Sequence, residues 1–505
     1  MASLGKGALA TATLVALVSG CSSTGPDPQQ QEQARSLVIG ATAQPESMDP
    51  TTQSGAAIPQ ALLYNVYETL VKIDGTGELK PLLAQKWTVS PDRLTYTFDL
   101  QPKAHFSDGD KVDAKAVVAN IQRIRTDKRV VGTLKQEMSG VVSATATDAD
   151  TVTVKLKTPS QSWLYAMASR AGIIADPDSF ATLSSKPVGS GPFAFGAWKR
   201  GESVRLDRNK SYWGTPTHFE TATFRYFADA NSMNSAMLSG DLDIISDLTA
   251  PEAVDQFSDT SRYTVTEGTS NGEVVLGMNQ GKGGNPALKK REVRQAIRHA
   301  IDRKALLETV WAGKGTMIGS MVPPTDPWYE DLSKDYAHDP TKARALLKQA
   351  GESNLTLRLR VPTLPYGPGS AQFISSQLKA VGITAKVEEL DWARWLKEVH
   401  DDGNYDMTIV NHVEPRDIDK FADPTYYWHY DNPDFQKLIA QADKADNEQS
   451  VALMKQAAKT LSDDAAADFL WLFPHIVVTK ADISGVPANA TSESFDLTTV
   501  ASRDA

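Results

Sequence analysis

The chain has 505 residues, 41% of them hydrophobic and 23% charged, with a formal net charge of -10 at pH 7. That length provides for two or three domains with a large core, and the acidic balance excludes a nucleic-acid partner, which needs clustered Lys and Arg against phosphate. A single cysteine, Cys21, excludes an internal disulfide, so packing alone must hold the fold.

The first feature along the chain is an apolar run over residues 7–18 behind Lys6. It is shorter than the roughly 20 residues a bilayer requires. It leads through Leu17-Val18-Ser19-Gly20 directly into Cys21, the pattern of a signal peptide (1–20) cut before a lipidated cysteine. The competing reading is a buried N-terminal helix with an incidental thiol. Residues 21–35, rich in Ser, Pro and Gln, suit a flexible tether. Stable anchoring takes two or more acyl chains.

Residues 37–41 read as a first strand, and residues 58–70 as an amphipathic helix carrying Ile58, Leu62, Val66 and Leu70. Ser90-Pro91-Asp92 is a turn between the alternating runs 87–89 and 94–100. Asp113 is placed to cap a helix with Val117, Ile121 and Ile124. Residues 151–157 alternate as a strand, and 193–198 with 203–207 form a hairpin after Gly189-Ser190-Gly191-Pro192. A strand at 223–227 is followed by a helix bearing Met233, Met237 and Leu238, closed by Gly240.

Lys289, Lys290, Arg291, Arg294 and Arg298 share a helix with Val293, Ile297 and Ile301, which reads as a solvated basic face over an apolar one. From Asp339-Pro340 onward, helices and strands alternate: helix to Gly351, strand 355–361, helix to Gly382, strand 383–390, helix from Asp391, strand 406–413. This order implies an open, largely parallel sheet. Such sheets bind ligands outside the carboxyl ends of their strands, which puts Asn411-His412-Val413-Glu414-Pro415-Arg416-Asp417 at a cleft.

The chain lacks a Gly-x-Ser-x-Gly elbow, a His-Glu-x-x-His helix and a phosphate loop, which argues against an enzyme. His412 and Glu414 share one strand face. They are two ligands of a metal site, or a polar cleft edge whose groups bond each other, and the second reading is preferred because a metal needs three or four ligands. Glu414, Asp417, Asp419 and Asp423 are either an ammonium-binding set or a solvated loop. Trp392 stands close to a strand's carboxyl end, as a pocket surface or as core with Trp395. No cofactor or resident metal is implied.

Several motifs occur together in this order: Leu63-Tyr64-Asn65-Val66-Tyr67-Glu68-Thr69-Leu70, His105-Phe106-Ser107-Asp108-Gly109, Val188-Gly189-Ser190-Gly191-Pro192-Phe193, Leu238-Ser239-Gly240-Asp241-Leu242-Asp243 and Leu276-Gly277-Met278-Asn279. The most specific is Arg291-Glu292-Val293-Arg294-Gln295-Ala296-Ile297-Arg298-His299-Ala300-Ile301-Asp302-Arg303. With them the chain resembles the extracytoplasmic solute-binding proteins of peptide and nickel ABC importers.

The resemblance implies an α/β, two-lobed periplasmic-binding-protein clamp of type II, with an extra small α+β domain on lobe one. Lobe one would comprise 36–70, 186–270 and 475–505, the small domain 71–185, and lobe two 271–474. Hinges are expected near 267–279 and 471–477. The implied ligand is a short peptide held between lobes and passed to a membrane permease; a metal chelate, haem or oligosaccharide is the alternative, and an extracytoplasmic hydrolase the less favoured one. Peptide binders of this family hold the ligand ammonium with a lobe-two aspartate after a Trp-containing Gly-Asp segment. Residues 410–417 lack that segment, leaving Glu414 or Asp417 for the role, Arg416 for a carboxyl terminus or a salt bridge, and Asn279 and Trp392 as further ligand neighbours.

Overall fold

The computed structural model describes residues 36–42, 44–53 and 55–503; the leader, Cys21 and nearly all of the tether lie outside the described residues. Ten strands form the main sheet: β1 (Ser36–Ala41), β2 (Phe193–Lys199), β3 (Ser203–Arg208), β4 (Thr221–Tyr226), β5 (Ile244–Ile245), β6 (Tyr263–Met278), β7 (Leu355–Pro362), β8 (Ile383–Leu390), β9 (Met407–His412) and β10 (Ala467–Lys480). Their spatial order is β2-β3-β4-β1-β5-β10-β6-β9-β7-β8.

The β7–β9 segment is parallel, as the alternating helices and strands require. The sheet as a whole is mixed, because β6 runs antiparallel to both β9 and β10. The chain leaves the first half through β6 and returns through β10, and two such neighbouring strands can only run in opposite directions. Their register holds from Tyr263↔Lys480 to Thr269↔Pro474, breaks, and resumes at Glu273↔Leu472. Residues 270–272 bulge opposite Phe473, whose carbonyl accepts from Ser270 Oγ at 2.7 Å. A side chain at Gly268 would run into the Ala488 carbonyl, 1.9 Å from an ideal Cβ, so this approach admits only glycine.

Alternate residues of the central strands feed separate cores. Val274, Leu276, Met407 and Ile409 pack with Ile297, Leu357 and Ile374. Val275 and Val410 point the other way, to Trp395, Trp428 and Phe469. Both faces are therefore covered, which is why these strands read as continuous apolar runs.

A second, four-stranded antiparallel sheet (Ala84–Val89, Thr95–Leu100, Thr151–Leu156, Val141–Ala146) packs on the helix Ala114–Thr126. Asp113 caps that helix by accepting from Ala116 N at 2.8 Å. The small core closes at Ile174, while Ala175 and Leu183 pack with Leu37 and Phe224 of the main sheet. Partly buried Val188 and Trp213 also pack against the small core.

Two expectations fail on packing grounds. The helix expected over residues 58–70 ends at Leu62, and Tyr64 turns to φ 63. Residues 61–71 are buried on every side, so their apolar spacing reflects depth and not a helical face. On the helix Arg291–Ala300, Lys289, Lys290 and Arg291 are exposed, but Arg294 and Arg298 are buried. Arg294 donates to the carbonyls of Ala465, Asp464 and Leu288. Arg298 donates to Ser462 O at 2.8 Å, pairs with fully buried Asp468 at 3.3 Å and stacks 3.8 Å over Tyr336. These guanidiniums fasten the helix to the start of β10. Burial pulls Arg298 down to about 10, still charged at neutral pH.

Replacing Arg298 leaves the buried Asp468 carboxylate with only the 3.9 Å approach of Arg303, a cost of about 3 kcal/mol. Arg298→Leu is expected to lower the urea unfolding free energy by that amount, while Lys289→Ala changes it by less than about 0.5 kcal/mol.

Candidate functional site

Strand β9 ends at His412, and the chain turns through Arg416 at φ 63 into the short helix Asp417–Ala422. Asp417 fastens this turn, its Oδ2 accepting from Glu414 N at 2.9 Å. Glu414 pairs with Lys420 at 3.2 Å. Arg416 is drawn inward: Nε donates to Asp419 at 3.0 Å, and the guanidinium lies 5.0 Å over Trp328 and 5.8 Å from the Tyr165 ring of the small unit.

Three parts of the chain meet this turn. The small unit brings Glu137, and the C-terminal segment brings Glu493, paired to Arg170 at 2.9 Å. Glu137 is exposed, and the protein packed around it, with the negative charge of Glu414 next, pushes its carboxyl up to about 7. Burial likewise raises Glu493, and raises Asp417 well above the usual carboxylate range, again with Glu414 contributing. Behind the wall, burial and the nearby Asp417 charge raise fully enclosed Glu273, and burial lifts Asp326 to about 7.

The charge count is unbalanced. Lys420 is taken by Glu414 and Arg170 by Glu493. Glu137 has no ion pair among the described residues. Asp417 is 2% exposed, and its Oδ1 has no hydrogen-bond partner among them. Exposed Glu137 and buried Asp417 thus lack ion-pair partners among the described residues. Each is raised by burial and by Glu414 and opposed by Lys420, and a cation beside them favours their ionised forms.

The other sequence-derived residues separate. Asn279 is fully buried, with Nδ2 donating to the carbonyls of Gly403 (2.8 Å) and Tyr405 (3.1 Å) and Oδ1 accepting from Gly281 N. Its amide is consumed in bracing a loop, which corrects the expectation of a ligand contact. His412 and Glu414 do not bond each other: His412 Nε2 meets Tyr427 Oη at 3.0 Å, and burial holds the imidazole neutral, down at about 3. Trp395 is core, its Nε1 donating to Thr408 at 2.9 Å. Trp392 stacks flat on it at 5.0 Å and keeps its outer face exposed. Asp419 is spent on Arg416, and exposed Asp423 caps its own turn through Thr425 N.

Glu137, Arg170 and Glu493 were not legible as site residues, since each reaches the gap from a distant stretch without a motif. Among the described residues, the one grouping of carboxylates close enough to share a cation is Asp108, Asp110 and Asp176, which does not include His412. No described helix is long and apolar enough to cross a membrane.

Residues 78–435 match the family described as bacterial extracellular solute-binding proteins, family 5, middle region. The chain is 26% identical to the dipeptide-binding protein of Escherichia coli K12 over 86% of its own length and 89% of the relative's. It is also 26% identical to the probable D,D-dipeptide-binding periplasmic protein DdpA of the same strain, covering 92% and 94%. Among solved structures, the periplasmic binding protein DppA of Helicobacter pylori, in complex with the peptide STSA, superposes with a TM-score of 0.78 at 25% identity, covering 94% of this chain and all of that one. The two-lobed α/β clamp expected from the motifs is the fold these proteins share. The chain therefore belongs to the family 5 bacterial extracellular solute-binding proteins.

Proposed function

We propose that this protein captures short peptides in the gap between its two halves and delivers them to the permease of an ABC importer. The observation that supports this reading is the acidic set gathered around Glu414 at the turn after β9, in which Asp417, Glu137 and Glu493 are all raised by burial with Glu414 contributing. The free Oδ1 of Asp417 takes the peptide ammonium, the two forming a charge-assisted hydrogen bond out of bulk water. Glu137, close to Glu414, adds negative potential. The names of the dipeptide-binding relatives support a peptide as the ligand. The division at the bulge of residues 270–272 supports a hinge there, with lobe one including the small unit. The protein acts as a binder and not an enzyme; closure stabilises a complex and no bond is made.

The address follows from Cys21. Cleavage before it and acylation tether the protein outside the membrane, and residues 22–35 give reach, raising its local concentration at the permease. The protein is expected in the membrane fraction with a lipid-sized mass addition on Cys21; Cys21→Ser should release it in soluble form.

Trialanine is expected to bind, and N-acetyl-trialanine to bind far more weakly, in calorimetric titration. Asp417→Asn should weaken trialanine by about 2 kcal/mol, some thirtyfold, with Asp423→Asn unchanged. Equal affinity for the acetylated peptide would refute the ammonium anchor.

The pH dependence has a definite sign. A bound cation favours the ionised forms of both Asp417 and Glu137, each raised by burial, so affinity rises with pH as these carboxyls ionise, through about 7 for Glu137. It falls again as the ligand amine loses its proton near 8. Titrations from pH 5.5 to 9 should show a maximum between these values.

A further inference from the structure

The small unit also touches the second half a few residues ahead of Tyr165 and Arg170. Residues 160–162 form a strap before the short helix Ser162–Ala166, and they meet the corner between the helices Pro433–Lys444 and Asn447–Asp463. Asp443 lies at the centre. Its Oδ1 accepts from Ser162 N at 2.8 Å and from Ser160 Oγ at 3.2 Å, and its carbonyl accepts from Gln161 N at 2.8 Å. Gln161 Nε2 then donates to Ala445 O and to Asn447 Oδ1, both at 3.0 Å.

The strap is held rigid from behind. Trp163 is buried against Tyr96, ring centroids 4.9 Å apart, and Tyr96 Oη donates to Ser160 O at 2.9 Å. Ser160 Oγ also accepts from Trp163 N at 3.1 Å. The strap's donors are therefore presented in fixed positions by a domain with its own core. Nearby, the two halves approach again where an ideal Cβ on Gly77 would fall 2.5 Å from the Thr325 carbonyl.

We infer that Asp443 and the strap 160–162 are an inter-lobe latch, and that the small domain serves as the lever that sets the closed population. The inference rests on the clamp reading but not on the identity of the ligand. A hinge at residues 270–272 that opens the gap must break these contacts together, because all five hydrogen bonds span the same two bodies. Asp443 also raises Arg416 of the gap turn through its charge; Asp443→Ala and Asp443→Asn both remove that charge, so the difference between them reports the lost acceptor. A ligand's apparent affinity scales with the competent fraction, so loss of the latch weakens every ligand by one factor. Asp443 is in this sense a positioning residue.

The test is the distance between nitroxides on Lys128→Cys and Lys437→Cys, both exposed, in the full chain with Cys21→Ser so that no other thiol is labelled. Pulsed electron resonance on the ligand-free protein should show a short-distance population that Asp443→Ala reduces about tenfold relative to the long one. Asp443→Asn, which keeps Oδ1 as an acceptor, should restore most of it. Gln161→Ala should give a partial loss, with the far-ultraviolet circular dichroism of all variants unchanged. Distance distributions identical in the parent and Asp443→Ala would overturn the latch. So would an Asn variant as open as the Ala variant, since that pattern reports general disturbance and not a lost acceptor. Failure of trialanine to bind would count against the peptide reading and leave these distances unaffected.

Discussion

The architecture depends on one constraint: β6 and β10 are long enough to belong to both halves, yet cannot pair continuously along their length. Antiparallel register runs from Tyr263 to Thr269, fails over residues 270–272, and resumes at Glu273. The register shifts a second time between Val274 and Val275, so the irregularity spans residues 270–275. A bulge of this kind bends a strand and raises its local twist. Everything functional in the molecule lies to one side of that break or across it.

The gap is assembled by long-range topology. Glu137 comes from the small unit, Glu414 and Asp417 from the turn after β9, and Glu493 from the C-terminal segment that follows β10. Burial disfavours the charge of Glu137, Asp417 and Glu493, with Glu414 adding to each, so the unliganded arrangement is electrostatically costly. A cation entering the gap offsets that cost. Arg416 does not, since it is already committed to Asp419 and stacked on Trp328. The energy available for closure is thus a property of the empty site as much as of the ligand.

What the sequence made legible follows the range of the forces involved. Caps and turns are local, and Asp113, Asp339 and Gly240 lie where their residue types place them. The alternating strands and helices of the second half carry their own periodicity, and so does the turn after β9. The failures are non-local. The interval 58–70 is apolar because it is deep, and its spacing imitates a helix. Arg294 and Arg298 look solvated on a helical wheel, yet the start of β10 and the segment before it supply the carbonyls and the carboxylate that bury them. Asn279 carries a family motif, but its amide is used by a neighbouring loop. Glu137 and Glu493 carry no signal at all until three chain segments are folded against one another.

The central claim is that the gap holds a ligand by its ammonium. The most direct measurement is mass spectrometry of the small molecule released when the protein, purified from its own host, is denatured. The account expects a short peptide with a free amino terminus. A sugar, or a haem or metal chelate with no amine, would contradict it.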